Sequence, residues 1–133
     1  MYPPIRLVAI DMDGTLLSTA SHSISERNAQ ALKAAQKAGI AVAIATGRRM
    51  AYTTPFLAGI GLRADTPLIA SNGAVTRQLD GRHLDRSYMP SHVARSLCGL
   101  LRPFGAVIFP FDRDGRGELV LEGHGHVFPV AKS

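Results

Sequence analysis

Cysteine occurs once in these 133 residues, at Cys98, and tryptophan does not occur at all. A lone thiol excludes an intrachain disulfide and a cysteine-rich metal site. Its position inside an amphipathic helical pattern makes Cys98 a small buried hydrophobe rather than a nucleophile. Long apolar runs are lacking too, and none approaches the ~20 residues of a membrane span. Met1-Tyr2-Pro3-Pro4 has neither the basic start nor the apolar centre of a secretion signal. The expected location is therefore the cytoplasm, with no membrane partner. Acidic residues are fewer than basic ones, 10 Asp and Glu against 15 Lys and Arg, giving a net charge of +5. That balance invites a nucleic-acid reading, but the basic residues are scattered and Arg48-Arg49 is their one adjacent pair. Without a basic run interleaved with aromatics, no nucleic-acid partner is expected, and attraction to an anionic small molecule accounts for the charge. Internal repeats, low-complexity tracts and the low hydrophobicity of disorder are absent as well. The length suits one modest domain, or one domain and part of another.

What the sequence does have is concentrated at the ends of short apolar runs. Leu7-Val8-Ala9-Ile10 reads as a strand buried on both faces, as in a parallel sheet. It ends in Asp11-Met12-Asp13-Gly14-Thr15. Two carboxylates at a strand tip are costly unless a cation or a proton-transfer task uses them, and a plain turn explains them less well. After a polar stretch at 18–23, a helix begins at Ser25, with Ser23-x-x-Glu26 as a competing capping box. Ile24 and Ala29 are placed to form a hydrophobic staple. The helix runs to Ala38 and stops at Gly39. Residues 40–45 form a second buried strand ending in Thr46-Gly47-Arg48-Arg49. Strand, helix, strand at this spacing is a βαβ unit, which brings both tips to one edge of the sheet. A weaker helix between Met50 and Gly59 is disturbed or restarted at Pro55. Residues 68–70 form a third strand, with Ser71-Asn72-Gly73-Ala74 at its tip.

From Ala74 the pattern changes. Residues 74–79 and 82–88 flank Asp80-Gly81, a strong hairpin signal. A helix opens at Pro90-Ser91, spaces Val93, Leu97, Leu100, Leu101 and Phe104 helically, and ends at 103–105. Residues 106–111 and 118–122 read as two further strands. The fold class is thus α/β: a Rossmann-like core with parallel strands over residues 1–87, followed by part of an α+β domain over 88–133.

Three strand tips with small, polar or acidic groups, all at one sheet edge, suit phosphoryl transfer to a carboxylate. Asp11 is the candidate nucleophile, aided by Mg²⁺ that offsets the repelling charges. Asp13 is the candidate acid and base. Gly14 permits a turn tight enough for backbone N–H groups to cradle phosphoryl oxygens, and the Thr46 hydroxyl can donate to one of them.

Asp11-Met12-Asp13-Gly14-Thr15-Leu16, Ala45-Thr46-Gly47-Arg48 and Ser71-Asn72-Gly73-Ala74, in this order and at these intervals, closely resemble the haloacid dehalogenase (HAD) superfamily, in its Cof-like phosphatase branch. The resemblance implies Asp11 as nucleophile and Asp13 as acid/base, with Mg²⁺ held by the Asp11 carboxylate and the Asp13 backbone carbonyl. It implies a phosphate site at Met12, Thr46, Gly47, Asn72 and Gly73. The substrate would be a small phosphorylated metabolite, a sugar phosphate or similar. The stretch after Thr15 is similar to the family's mobile flap, and residues 88–133 are similar to the start of its α/β cap.

The chain also departs from the pattern. Family members are longer and return to the core after the cap. There they supply a lysine and an acidic Gly-Asp-x-x-Asn-Asp type motif, and nothing after residue 87 matches either; Lys132 has no following helix or acidic motif. The expectation is the N-terminal half of a Cof-like phosphatase. Beside the Mg²⁺-dependent phosphomonoesterase reading stands that of an incomplete chain that binds phosphate or Mg²⁺ or self-associates. A receiver-like domain accumulating aspartyl phosphate fits Thr15 and the Thr-Gly-Arg tip poorly. With the later core strands missing, residues 5–10 are expected to form an exposed edge through which the chain self-associates.

Other signals read as structural. Asp112-Arg113-Asp114-Gly115 repeats the acidic spacing, but Arg116 replaces Thr and Pro110 interrupts the strand, so turn chemistry explains it. His124-Gly125-His126 lacks a third ligand, and His22 and His92 are expected to be exposed. Arg48 completes Thr-Gly-Arg and could attract a substrate phosphate; Arg49 less so.

Overall fold

The computed structural model describes residues 3–104, 107–111 and 118–122. In chain order the elements are β1 (Leu7–Asp11), α1 (Glu26–Lys37), β2 (Ala41–Ala45), α2 (Met50–Ala58), β3 (Pro67–Ala70), β4 (Val75–Gln78) and β5 (His83–Arg86). These are followed by α3 (Ser91–Leu101), β6 (Val107–Phe111) and β7 (Glu118–Glu122). A five-stranded sheet has the order β1-β2-β3-β4-β5; its first three strands are parallel, and β4 and β5 are antiparallel. The α/β class expected from the sequence is the one observed. The chain divides into two compact units, Met1–Ser87 and Tyr88–Ser133.

In the first unit, side-chain size and strand period place the core. Val42, Ala43 and Ile44 of β2 are all buried, as an apolar run in a central strand should be. Leu68 and Ala70 of β3, Leu32 of α1 and Leu57 of α2 join the same cluster. β1 lies at the sheet edge, as expected for residues 5–10. Its composition suggests burial on both faces, yet Leu7 is 57% exposed and Val8 and Ile10 are half-buried. Among the described strands it pairs with β2 alone and lies at the sheet edge, so nothing described covers its far side.

α1 starts where the more local cap predicts. The Ser25 hydroxyl accepts the Asn28 N–H at 3.2 Å, whereas the Ser23 hydroxyl donates to Ser21 Oγ, so the competing capping box is not used. Gly39, with φ +80°, follows the cap residue Ala38. α2 corrects the expectation at Pro55, for it runs through the proline without restarting. Burial of Met50, Thr53 and Leu57 holds this short helix together despite the missing N–H. The β4–β5 hairpin closes as expected around Gly81 (φ +93°). The Gly81 N–H donates to Gln78 O at 3.0 Å, and the Gln78 N–H donates to Arg82 O at 2.8 Å. That is a three-residue loop with glycine in the left-handed position.

In the second unit, α3 spans the expected stretch and a short 3₁₀ turn, Arg102–Phe104, follows it. Cys98 is half-buried rather than buried. β6 and β7 pair antiparallel, and Pro110 does not interrupt β6 but sits in register opposite Leu119. In a two-stranded sheet both strands are edges, where a residue without an N–H is tolerated. Asp112 to Gly115, His124, His126 and Lys132 lie outside the described residues.

Candidate active site

The acidic tip is built by alternation. Asp11 ends β1 opposite Ala45 of β2; Asp11 and Asp13 are exposed, and Met12 between them is fully buried. Burying that side chain contributes about 1.5–3 kcal/mol and fixes the two carboxylates outward on either side of it. The chain then folds back. The Leu17 N–H donates to Met12 O at 2.7 Å, the Leu16 N–H to Met12 O at 3.1 Å, and the Gly14 N–H to Leu17 O at 3.1 Å. Gly14 has φ +72°, a backbone conformation glycine adopts without a Cβ penalty. Leu16 and Leu17 are both buried, so the motif is nailed to the core at Met12, Leu16 and Leu17. The sequence shows these leucines without showing that they turn inward.

The second and third tips are knitted to the first. The Met12 N–H donates to Ala45 O at 3.2 Å, and the Thr46 N–H donates to Ile69 O at 2.9 Å. The Ser71 N–H donates to Arg48 O at 2.8 Å, and the Asn72 N–H to Thr46 O at 3.3 Å. Ser71, Asn72 and Gly73 have successive φ values of +52°, +55° and +90°. Three left-handed residues in a row are strained for the two non-glycines, and they bring Asn72 against Gly47. A Cβ on Gly47 would lie 2.9 Å from Asn72 Oδ1, so a side chain at residue 47 requires the Asn72 amide to shift.

Side-chain chemistry centres on Asp13. Thr46, 6% exposed, directs its hydroxyl at Asp13 Oδ2 over 3.4 Å and accepts the Arg48 N–H at 3.1 Å. Arg48 grips the same carboxylate with two donors: Nη2 is 2.6 Å from Oδ1 and Nε is 3.1 Å from Oδ2. Its guanidinium also lies 5.5 Å from the centre of the Phe56 ring. The Asp11 carboxylate takes no hydrogen bond or ion pair from a described residue.

The structure therefore brings together Asp11, Met12, Asp13, Thr46, Gly47, Asn72 and Gly73 at one edge of the sheet. The Met12 N–H is already committed to Ala45, whereas the N–H groups of Asp13 and Gly47 donate to no described residue. Arg48, a candidate phosphate attractor from the sequence, is the partner of Asp13 in this structure. Arg49 lies over the Tyr52 ring at 4.5 Å. Among the described residues no three His, Cys, Asp or Glu side chains gather as a metal cluster.

Comparison with known proteins points one way. The family model for haloacid dehalogenase-like hydrolases matches residues 8–116. The chain is 40% identical over 78 residues to Phosphatase YwpJ of Bacillus subtilis, covering 59% of this chain and 26% of that protein. It is 35% identical over 97 residues to the 5-amino-6-(5-phospho-D-ribitylamino)uracil phosphatase YwtE of the same organism, covering 73% of this chain and 32% of the relative. An HMP-PP phosphatase of Shigella flexneri is 37% identical over 89 residues, with 67% of this chain and 32% of the relative covered. Among solved structures, a HAD superfamily phosphatase of Bacteroides thetaiotaomicron superposes with a TM-score of 0.74 at 30% identity, over 88% of this chain and 41% of the other. A HAD subclass IIB sugar phosphatase superposes at 0.68 with 25% identity, over 87% and 43%. The chain thus spans about a quarter to a third of the length of these curated relatives.

Proposed function

The chain belongs to the haloacid dehalogenase-like hydrolases, and from that premise we propose that it carries the nucleophile and acid/base of a Mg²⁺-dependent phosphomonoester hydrolase. The observation that carries this reading is the exposed Asp11 carboxylate at the β1 tip, unpaired among the described residues and two residues from an Asp13 that is held by Thr46 and Arg48. An Asp11 oxygen would bond to phosphorus as the ester P–O bond breaks, and the leaving oxygen would take a proton from Asp13. Asp13, then ionised, would take a proton from a water whose oxygen attacks the aspartyl phosphate. Inorganic phosphate leaves and Asp11 is restored. The N–H groups of Asp13 and Gly47, which donate to no described residue, and the Thr46 hydroxyl would receive phosphoryl oxygens, with Asn72 and Gly73 walling the site.

The residues present fit Mg²⁺. The ion retains several waters and needs one or two carboxylates, and both the Asp11 carboxylate and the Asp13 carbonyl are without a described hydrogen-bond donor. When bound it would offset the charge that repels a phosphate from Asp11. Residues 1–87 are assigned as the N-terminal part of the core and 88–133 as part of a cap. The substrate is a small phosphorylated metabolite, in line with the names of the relatives. No described helix is long and apolar enough to cross a membrane, and we place the protein in the cytoplasm. The test is Asp11→Asn in the full protein: p-nitrophenyl phosphate turnover should fall at least about a thousandfold, as expected for loss of a nucleophile, and a variant with most of its activity would remove Asp11 from the mechanism.

A second reading is supported by the fraction of the relatives that this chain spans and by the sheet edge at β1. In it, the 133 residues bind phosphate or Mg²⁺ without turnover and self-associate through that edge. A phosphatase assay on this chain, paired with light scattering over a concentration series, separates the two.

A further inference from the structure

We propose that the cavity between the start of β2 and the segment leading into β3 is a second ligand site, suited to a small neutral ring that carries a carbonyl beside an N–H, as a lactam does. It lies at the opposite end of the strands from Asp11 and does not depend on the reading just given.

The site begins with a proline. The Ala41 N–H donates to Arg6 O at 2.9 Å and Ala45 O accepts the Met12 N–H at 3.2 Å, so the odd-numbered residues of β2 address β1. The even-numbered ones address β3, as the Thr46 N–H does at Ile69 O. β2 and β3 are in register at Ile44 with Leu68 and at Ala45 with Ile69. One rung lower the donor to Val42 O would be the N–H of residue 67, and Pro67 has none. The Val42 N–H, on the same side of the strand, donates to no described residue. Yet Val42 is only 2% exposed. A buried peptide group lacking both partners is rare and costly, and it marks a place where something else supplies them.

Where the ladder stops, a cavity of ≈ 270 Å³ opens, with Gln36, Val42, Arg63, Asp65, Thr66 and Pro67 in its lining. Its walls are held in place. Gln36 Nε2 donates to Thr66 Oγ1 at 2.7 Å, and Gln36 Oε1 accepts the Arg63 N–H at 3.1 Å, which ties the segment before β3 to α1. The Thr66 hydroxyl proton goes to no described acceptor, so the wall keeps a further donor. Arg63 and Asp65 pair with each other at 2.6 and 3.0 Å, and their charges cancel, which favours a neutral occupant. The volume lies just under the usual range of ligand pockets, about 300–1,000 Å³, and so suits a single ring. A lactam carbonyl would accept from the Val42 N–H while its N–H donates to Val42 O, replacing the rung that Pro67 removes.

The probe is 2-pyridone, with N-methyl-2-pyridone as the control whose donor is blocked. Saturation-transfer NMR titrations on the full chain should show saturable binding of 2-pyridone at about 1–10 mM, the range expected for so small a ligand. The N-methyl compound should bind at least about fivefold more weakly, since it leaves Val42 O unpaired. Pro67→Ala restores an N–H at the rung beside Val42 O, so it should lower 2-pyridone binding to the level of the control. A site that selects by shape alone predicts that Pro67→Ala leaves the preference for 2-pyridone unchanged. Should Pro67→Ala fail to fold, Ala41→Leu, at an exposed position in the cavity lining, is read by the same criterion because its side chain takes up the space. Absence of saturable 2-pyridone binding, with the cavity holding water only, overturns the proposal. Equal binding of the two pyridones overturns it too, as does binding that the substitution leaves intact.

Discussion

At position 47 a Cβ would stand 2.9 Å from Asn72 Oδ1, so the Asn72 side chain would have to give way. The contact links the second strand tip to the third, where Asn72 is already held in a left-handed conformation. Gly47→Ala should therefore push Asn72 aside and cost about 1–3 kcal/mol, as overpacking does. Thermal unfolding would measure it, and combining the change with Asn72→Ala should recover much of the loss, since residues in contact are not additive. Full additivity would show that the two do not meet. Met12 illustrates the opposite residue-scale device. It is apolar and buried between two exposed acids, and Met12→Ala should cost about 2–5 kcal/mol. Because that side chain aims both carboxylates, the phosphatase activity proposed for the full protein should fall even at temperatures where the variant remains folded. Activity kept in full by the folded variant would detach Met12 from the placement of the acids.

Among the elements, α1 offers the sharpest comparison, since two serines compete to start it. Ser25 accepts the Asn28 N–H and Ser23 does not cap. Ser25→Ala should lower stability by about 1 kcal/mol, and Ser23→Ala, whose hydroxyl reaches only another exposed serine, should cost under about half of that. Equal losses in chemical denaturation would mean that the observed cap does not decide the helix start. α2 shows an element decided from outside. Its proline argues for a break, but the faces of Met50, Thr53 and Leu57 are buried, and that burial outweighs one missing hydrogen bond. β6 tolerates Pro110 for a different reason, its edge position.

For the whole molecule the telling strand is β1. Leu7 and Ile5 are 57% and 70% exposed at the end of a sheet whose order places β1 outermost. An apolar strand with an unpaired edge is a template for another strand. The 133-residue chain should therefore show an apparent mass that rises with concentration in light scattering, and Leu7→Lys should reduce that rise. A mass independent of concentration, in the parent and in the variant, would refute pairing through this edge.

What depends on near neighbours was legible in the order of residues: the apolar runs of β2 and β3, the Ser25 cap, the Gly39 stop and the Asp80-Gly81 hairpin. That order also determined the three polar tips, because Asp11, Thr46 and Ser71 each follow an apolar run directly, and parallel strands carry their tips to one edge. Tertiary structure decided what depends on residues far apart in the chain. β1 has the composition of an interior strand, and its edge position was expected only through the family resemblance, since composition carries no information on which strands flank it. Arg48 could have faced solvent, a phosphate or either aspartate. Its grip on Asp13 arises because the β1–β2 register and the Thr46 and Ser71 bonds deliver its guanidinium to that carboxylate across 35 residues of sequence.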